Sequence, residues 1–182
     1  KAFYEKPIIN NKRKFNKSEK TLLIMGGSLG SSSINKFVKN NLLKFIEQHK
    51  LIHISGTNDY KEFLKIYHSL NPTMQSRYQL YEFSHHIPEL MTQSDLIISR
   101  AGASIFGELT ATAIPALLYP GKFSDQAENA RYLVENNAAI ILHSIKQETL
   151  ATVLNLLNDN KMLKKMSMNM NSLNQKNSVE NI

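Results

Sequence analysis

Short apolar runs alternate along this chain with segments that carry apolar residues at helical spacing, and this alternation constrains the fold more than any other feature. The runs are TLLIM (21–25), LIHIS (51–55), YQLYEF (78–83), DLIIS (95–99), PALLYP (115–120) and AIIL (139–142). Between them, 34–48, 60–70, 88–93, 103–113, 126–136 and 146–158 read as helices. Runs apolar on both faces need cover on both faces, which a parallel sheet flanked by helices supplies. The expectation is an α/β, Rossmann-like doubly wound parallel sheet of about six strands. Residues 1–20 are polar and basic and read as an interdomain linker or the tail of a preceding domain. The sheet domain is expected over 21–160, followed by a Met/Asn/Lys-rich helical tail over 161–182 that frays.

Composition removes several classes of function. A hydrophobic share of 42% and a charged share of 20% are those of a globular chain. No apolar run approaches the ~20 residues that span a bilayer. The basic start lacks the apolar core of a secretory signal. With no cysteine, disulfides and thiolate chemistry are excluded, which fits a cytoplasmic setting. The net charge of +7 raises nucleic acid as a partner, but the lysines are spread over both ends and along helix faces, without interleaved aromatics. No nucleic-acid partner is expected.

In doubly wound sheets ligands lie beyond the carboxyl ends of the strands, so the residues after each run are the informative ones. After the first run come Gly26-Gly27-Ser28-Leu29-Gly30, then serines that open a helix. Glycines permit a tight turn, and the amides at a helix start attract an anion. A dehydrogenase would place glycine where Ser32 stands, an acid where LIHIS runs into Gly56, and a Tyr-x-x-x-Lys pair that occurs nowhere in the chain. No Gly-Lys-Ser/Thr follows for an ATP P-loop. This stretch alone fits either a phosphate site or a structural turn.

The fourth run leads into Ser99-Arg100-Ala101-Gly102-Ala103-Ser104-Ile105-Phe106-Gly107-Glu108. Small residues again open a helix and form a second nest of amides. Glu108, within its first two turns, can accept paired hydrogen bonds from a ribose diol or simply favour the helix dipole. Asp125 and Gln126 follow the fifth run, where they can cap a helix or meet sugar hydroxyls. Phe83 and Ser84 close the third run, one as a wall for a flat base or as core, the other through its main chain. His85 and His86 are adjacent and point apart, and no cysteine or spaced carboxylate joins them, so no metal site is expected. No Ser/His/Asp arrangement is defensible from sequence.

In order along the chain, GGSLGSSSIN, YEFSHHIPELM, SDLIISRAGASIFGEL, PALLYP, DQAENA and NNAAIIL resemble the C-terminal half of the MurG family of peptidoglycan glycosyltransferases. The resemblance runs from Thr21 to Leu142 and continues more weakly beyond. It implies the donor half of a two-domain glycosyltransferase B enzyme, which moves N-acetylglucosamine from UDP-N-acetylglucosamine (UDP-GlcNAc) to the undecaprenyl-linked acceptor lipid I, giving lipid II in cell-wall synthesis. The N-terminal half would carry the acceptor site, the membrane patch and the general base. The whole enzyme would work in the cytoplasm at the inner face of the plasma membrane, and this half alone would bind membrane weakly or not at all and turn over no substrate.

By the same resemblance, Gly26, Gly27 and Ser28 would line the cleft near the diphosphate. Ser84 would meet the uracil through its backbone, and Ala103, Ser104 and Ile105 would face the diphosphate. Glu108 would hold the ribose hydroxyls, while Asp125 and Gln126 would bind the GlcNAc ring. Leu29 and Asp125 depart from the family, which often has Gln at both positions. The sequence holds no Asp-x-Asp motif, so neither metal nor other cofactor is expected. A stand-alone donor subunit of a split transferase, an NAD-dependent oxidoreductase and a pure interaction module are the competing readings.

Overall fold

The computed structural model describes residue 15 and residues 18–27, 29–120, 124–146 and 148–179. All six expected strands form, as β1 (Thr21–Met25), β2 (Lys50–Ile54), β3 (Tyr78–Tyr81), β4 (Leu96–Ser99), β5 (Ala116–Leu118) and β6 (Ala139–Ile141). They make one sheet in the order β3-β2-β1-β4-β5-β6, every pairing parallel. The chain order reverses between β1 and β4, so the switch point lies between their carboxyl ends.

Helices α1 (Ser32–Gln48), α2 (Tyr60–Ser69), α3 (Pro72–Gln75), α4 (Ile87–Gln93), α5 (Ala103–Thr112), α6 (Ser124–Glu135), α7 (Glu148–Asn158) and α8 (Asn160–Val179) connect and cover the strands. Side chains alternate across the sheet with the two-residue period of a strand. Leu22, Ile24, Leu51, Leu96, Ile98 and Leu117 face a core built with α1, α2 and α7. Leu23, Ile52, Ile54, Ile97, Ala116 and Leu118 face a second core built with α4, α5 and α6. Burial on both faces is why these strands read as continuous apolar runs rather than as alternating ones.

Three departures from the sequence reading have local causes. After the helix expected over 60–70 comes an additional one-turn helix, α3, because the Asn71 side chain accepts the amide of Met74 at 2.9 Å and proline suits the first helical turn. Strand β3 stops at Tyr81, and the chain leaves it through a connection in which Glu82 and Phe83 are exposed and Ser84 is half-buried. The terminal segment is not a fraying tail over its described length. Leu163 and Met166 of α8 are buried in one core and Met170 and Leu173 in the other. Apolar positions spaced three or four apart put one buried stripe on a helix whose average composition is polar.

Candidate functional site at the strand switch point

The turn after β1 is shaped by backbone contact with the end of β2. Gly30 adopts φ +86°, and its amide donates to the Gly27 carbonyl at 3.0 Å. A Cβ on Gly30 would lie 2.3 Å from the Ser55 carbonyl oxygen, and one on Gly56 (φ +77°) would lie 2.2 Å from the Gly30 nitrogen. Hence a glycine stands just beyond β2, where a dinucleotide site would carry an acid, because the preceding turn rests on it. Gly26 is equally enclosed, whereas Gly27 faces open space. Ser28 lies outside the described residues. Leu29, which follows, is 68% exposed at the rim.

Across the switch point, β4 ends at Ser99 and the chain turns through Arg100, Ala101 and Gly102 into α5. Gly102 is the N-cap of α5 and Ser31 that of α1, and neither cap makes a side-chain hydrogen bond. Neither helix has an acidic residue in its first turn. Two helix starts with uncompensated positive ends therefore flank the crevice, which suits a doubly charged anion. The Ile105 amide is taken by the Gly102 carbonyl at 3.2 Å and its side chain is core, so Ile105 has no side-chain route to a ligand. The amides of residues 103 and 104 head the helix, where no intrahelical partner exists. The Ser104 side chain is exposed, and the Ala103 side chain lies outside the described residues. The Ser99 hydroxyl is buried at the strand end without a hydrogen-bond partner among the described residues.

Glu108 is half-buried on the second turn of α5, and burial pushes its carboxyl above the ordinary glutamate range. On the other flank, Arg100 Nε donates to Gln126 Oε1 at 3.2 Å, and its guanidinium carbon lies 6.0 Å from the Tyr119 ring centre. This bond ties the segment after β4 to that after β5 and leaves the Gln126 amide nitrogen as the end facing away from Arg100. Residue 125 falls on α6, but its side chain lies outside the described residues. Ser84 is half-buried, and its hydroxyl accepts the His86 amide at 3.0 Å. Phe83 is exposed and packs edge-on against His85 at 4.8 Å, so it is a surface residue and not core. His86 Nδ1 sits 3.7 Å from Glu89 Oε1.

Thus the described sequence-selected residues cluster at the carboxyl edge of the sheet. Sequence reasoning missed three participants: Gly56 as the seat of the first turn, Arg100 as the partner of Gln126, and Asn35, whose amide reaches the end of β2. Only the glycine carried a sequence signal, in its position directly after a strand.

These features define a doubly wound α/β domain whose carboxyl edge carries two helix starts of the kind that suit an anion. Residues 21–182 match the family described as the glycosyltransferase family 28 C-terminal domain, and the chain belongs to that family. It is 35% identical over 173 residues to a UDP-N-acetylglucosamine--N-acetylmuramyl-(pentapeptide) pyrophosphoryl-undecaprenol N-acetylglucosamine transferase of Clostridium botulinum (strain Alaska E43 / Type E3), covering 91% of this chain and 46% of that protein. A protein of the same name from Roseiflexus sp. (strain RS-1) is 36% identical over 136 residues, covering 66% and 31%. The chain therefore spans less than half the length of these curated relatives. In fold it is similar to MurG of Acinetobacter baumannii, with a TM-score of 0.69 and 23% identity over 89% of this chain and 50% of that one.

Proposed function

We propose that this domain binds UDP-GlcNAc and acts as the donor half of the inverting transferase that adds GlcNAc to lipid I in peptidoglycan synthesis. The observation that carries the reading is the pair of uncapped, acid-free helix starts either side of the switch point in a family 28 C-terminal domain. In this reading the diphosphate sits between those starts. Glu108 accepts the ribose hydroxyls, the main chain at Ser84 faces the uracil, and Gln126 with Asp125 meets the sugar.

The acceptor hydroxyl attacks the anomeric carbon as its bond to the UDP oxygen breaks. Its proton passes to a base in the N-terminal half, and the electron pair leaves with UDP. The amides stabilise the charge growing on the diphosphate, and each such donor supplies roughly 2.7–4 kcal/mol of barrier lowering. They take the part that a bound metal plays elsewhere, so no cofactor is required. The full enzyme would work at the cytoplasmic face of the membrane through its other half. Among the described residues, no helix is long and apolar enough to cross a membrane.

Titration with UDP-GlcNAc, NAD and ATP, with and without EDTA, tests this. Binding should be selective for UDP-GlcNAc, unchanged by EDTA and lost most in Glu108→Ala. Equal affinity for NAD, or an indifferent Glu108→Ala, refutes it.

A further inference from the structure

Behind the first glycine turn lies a buried polar chain that the donor site does not touch. Asn35, on the first turn of α1, His53 on β2 and Tyr78 on β3 are each at most 3% exposed. Asn35 Nδ2 lies 2.7 Å from the Ser55 carbonyl oxygen and 2.5 Å from Asp59 Oδ2. Both neighbours only accept when Asp59 is ionised, so the amide nitrogen must face them and Oδ1 must face His53 Nε2 at 3.1 Å. Nε2 therefore carries the proton. Nδ1 is then a bare acceptor, and the Tyr78 hydroxyl donates to it at 3.0 Å. Each link has one permitted direction, and together they fix the histidine tautomer. Burial lowers the His53 pKa to about 3, so the ring stays neutral and the order of donors holds at neutral pH.

The chain ends on the turn. The Ser55 carbonyl that Asn35 holds is the atom a Gly30 Cβ would strike, and that same Cβ would lie 3.2 Å from Asn35 Nδ2. The Asn35 backbone N–H makes the first helical bond of α1, to the carbonyl of the N-cap Ser31 at 2.8 Å, so a side chain fixed one turn into α1 holds the end of β2.

We propose that Asn35, oriented by His53 and Tyr78, is a positioning residue that sets the aim of the glycine-turn amides toward the nucleotide diphosphate. The assignment of the ligand rests on the donor-site reading above; the orientation of the turn does not.

The test uses Tyr78→Phe, which removes only the donor to Nδ1, and Asn35→Asp, which keeps the acceptor for His53 but turns oxygen toward Ser55 and Asp59. Three measurements are made: thermal unfolding, amide exchange by NMR at Gly30, Ser31 and Gly56, and the Kd for UDP. Wild-type His53 should show the nitrogen-15 pattern of the Nε2–H tautomer. Tyr78→Phe should speed exchange at those amides about tenfold relative to amides in the middle of β1, and weaken UDP about tenfold, the scale of one lost buried hydrogen bond. A variant that melts earlier yet keeps wild-type relative exchange and UDP affinity overturns the proposal, as does an Nδ1–H tautomer. If Asn35→Asp does not fold, Tyr78→Phe decides alone. A wild-type chain that ignores UDP sinks the donor-site reading, while exchange and tautomer still judge the relay.

Discussion

Gly56→Ala separates a turn that is merely tolerant from one that is locked. Gly56 sits at φ +77°, where an L side chain costs about 1–2 kcal/mol. Its new Cβ would also lie 2.2 Å from the Gly30 nitrogen and 2.5 Å from both Gly30 Cα and the Leu29 carbonyl carbon. All of these are backbone atoms, so no flexible side chain can swing away, and overpacking of that kind adds about 1–3 kcal/mol. The expected loss is about 2–5 kcal/mol. For a chain of this size that is roughly 4–20 °C in Tm. Should the turn yield instead, the strain is relieved by moving Leu29–Gly30, and the loss appears in UDP affinity.

Gly27→Ala is the matched control. It has φ +96° but no atom within 4 Å of its Cβ, so it carries the backbone penalty alone. Gly102→Ala, with φ −65° and open space, carries neither. Differential scanning calorimetry and UDP titration of the three variants should rank Gly56→Ala worst by a clear margin. If Gly56→Ala matched Gly27→Ala in both assays, the contact between the β2 end and the glycine turn would not be what holds the turn.

Two further outcomes follow from burial. Because burial raises the Glu108 pKa, the folded chain holds that proton more tightly than the unfolded one, so its contribution to stability falls as pH rises from the ordinary glutamate value through the raised one. If Glu108 accepts the ribose hydroxyls as proposed, UDP binding should strengthen over the same window, and Glu108→Gln should flatten both profiles in calorimetry and titration. Met170 is fully buried, so Met170→Ala should destabilise the chain by about 2–5 kcal/mol in denaturant unfolding; an unchanged midpoint would mean that α8 is not integral.

The strands and their parallel order were legible because each run is apolar on both faces and each connection carries the helical period. What composition hid was α8. Its Asn and Lys residues dominate the average, while four apolar side chains, Leu163, Met166, Met170 and Leu173, do the packing. Helix ends were read late or early by a residue or two, because caps rather than periodicity decide them.

At the site, residue type carried part of the message and pairing the rest. Small residues before Ile34 and Ser104 announce helix starts, a property of local backbone that sequence displays. The bond from Arg100 to Gln126 joins residues from two successive crossovers, and no local pattern predicts it. Asn35 is the sharper case. On the helix face it is one more polar residue among serines, yet it is 3% exposed and joins three elements. A buried amide can occupy that place only if all its bonds are met, and here they are supplied by His53 on β2 and by Ser55 and Asp59 in the connection that follows it. The turn that looks like the functional motif is therefore held by partners that sequence spacing scatters from Asn35 to Tyr78. Substitutions at those partners should alter the nucleotide edge without touching any residue that the glycine pattern marks.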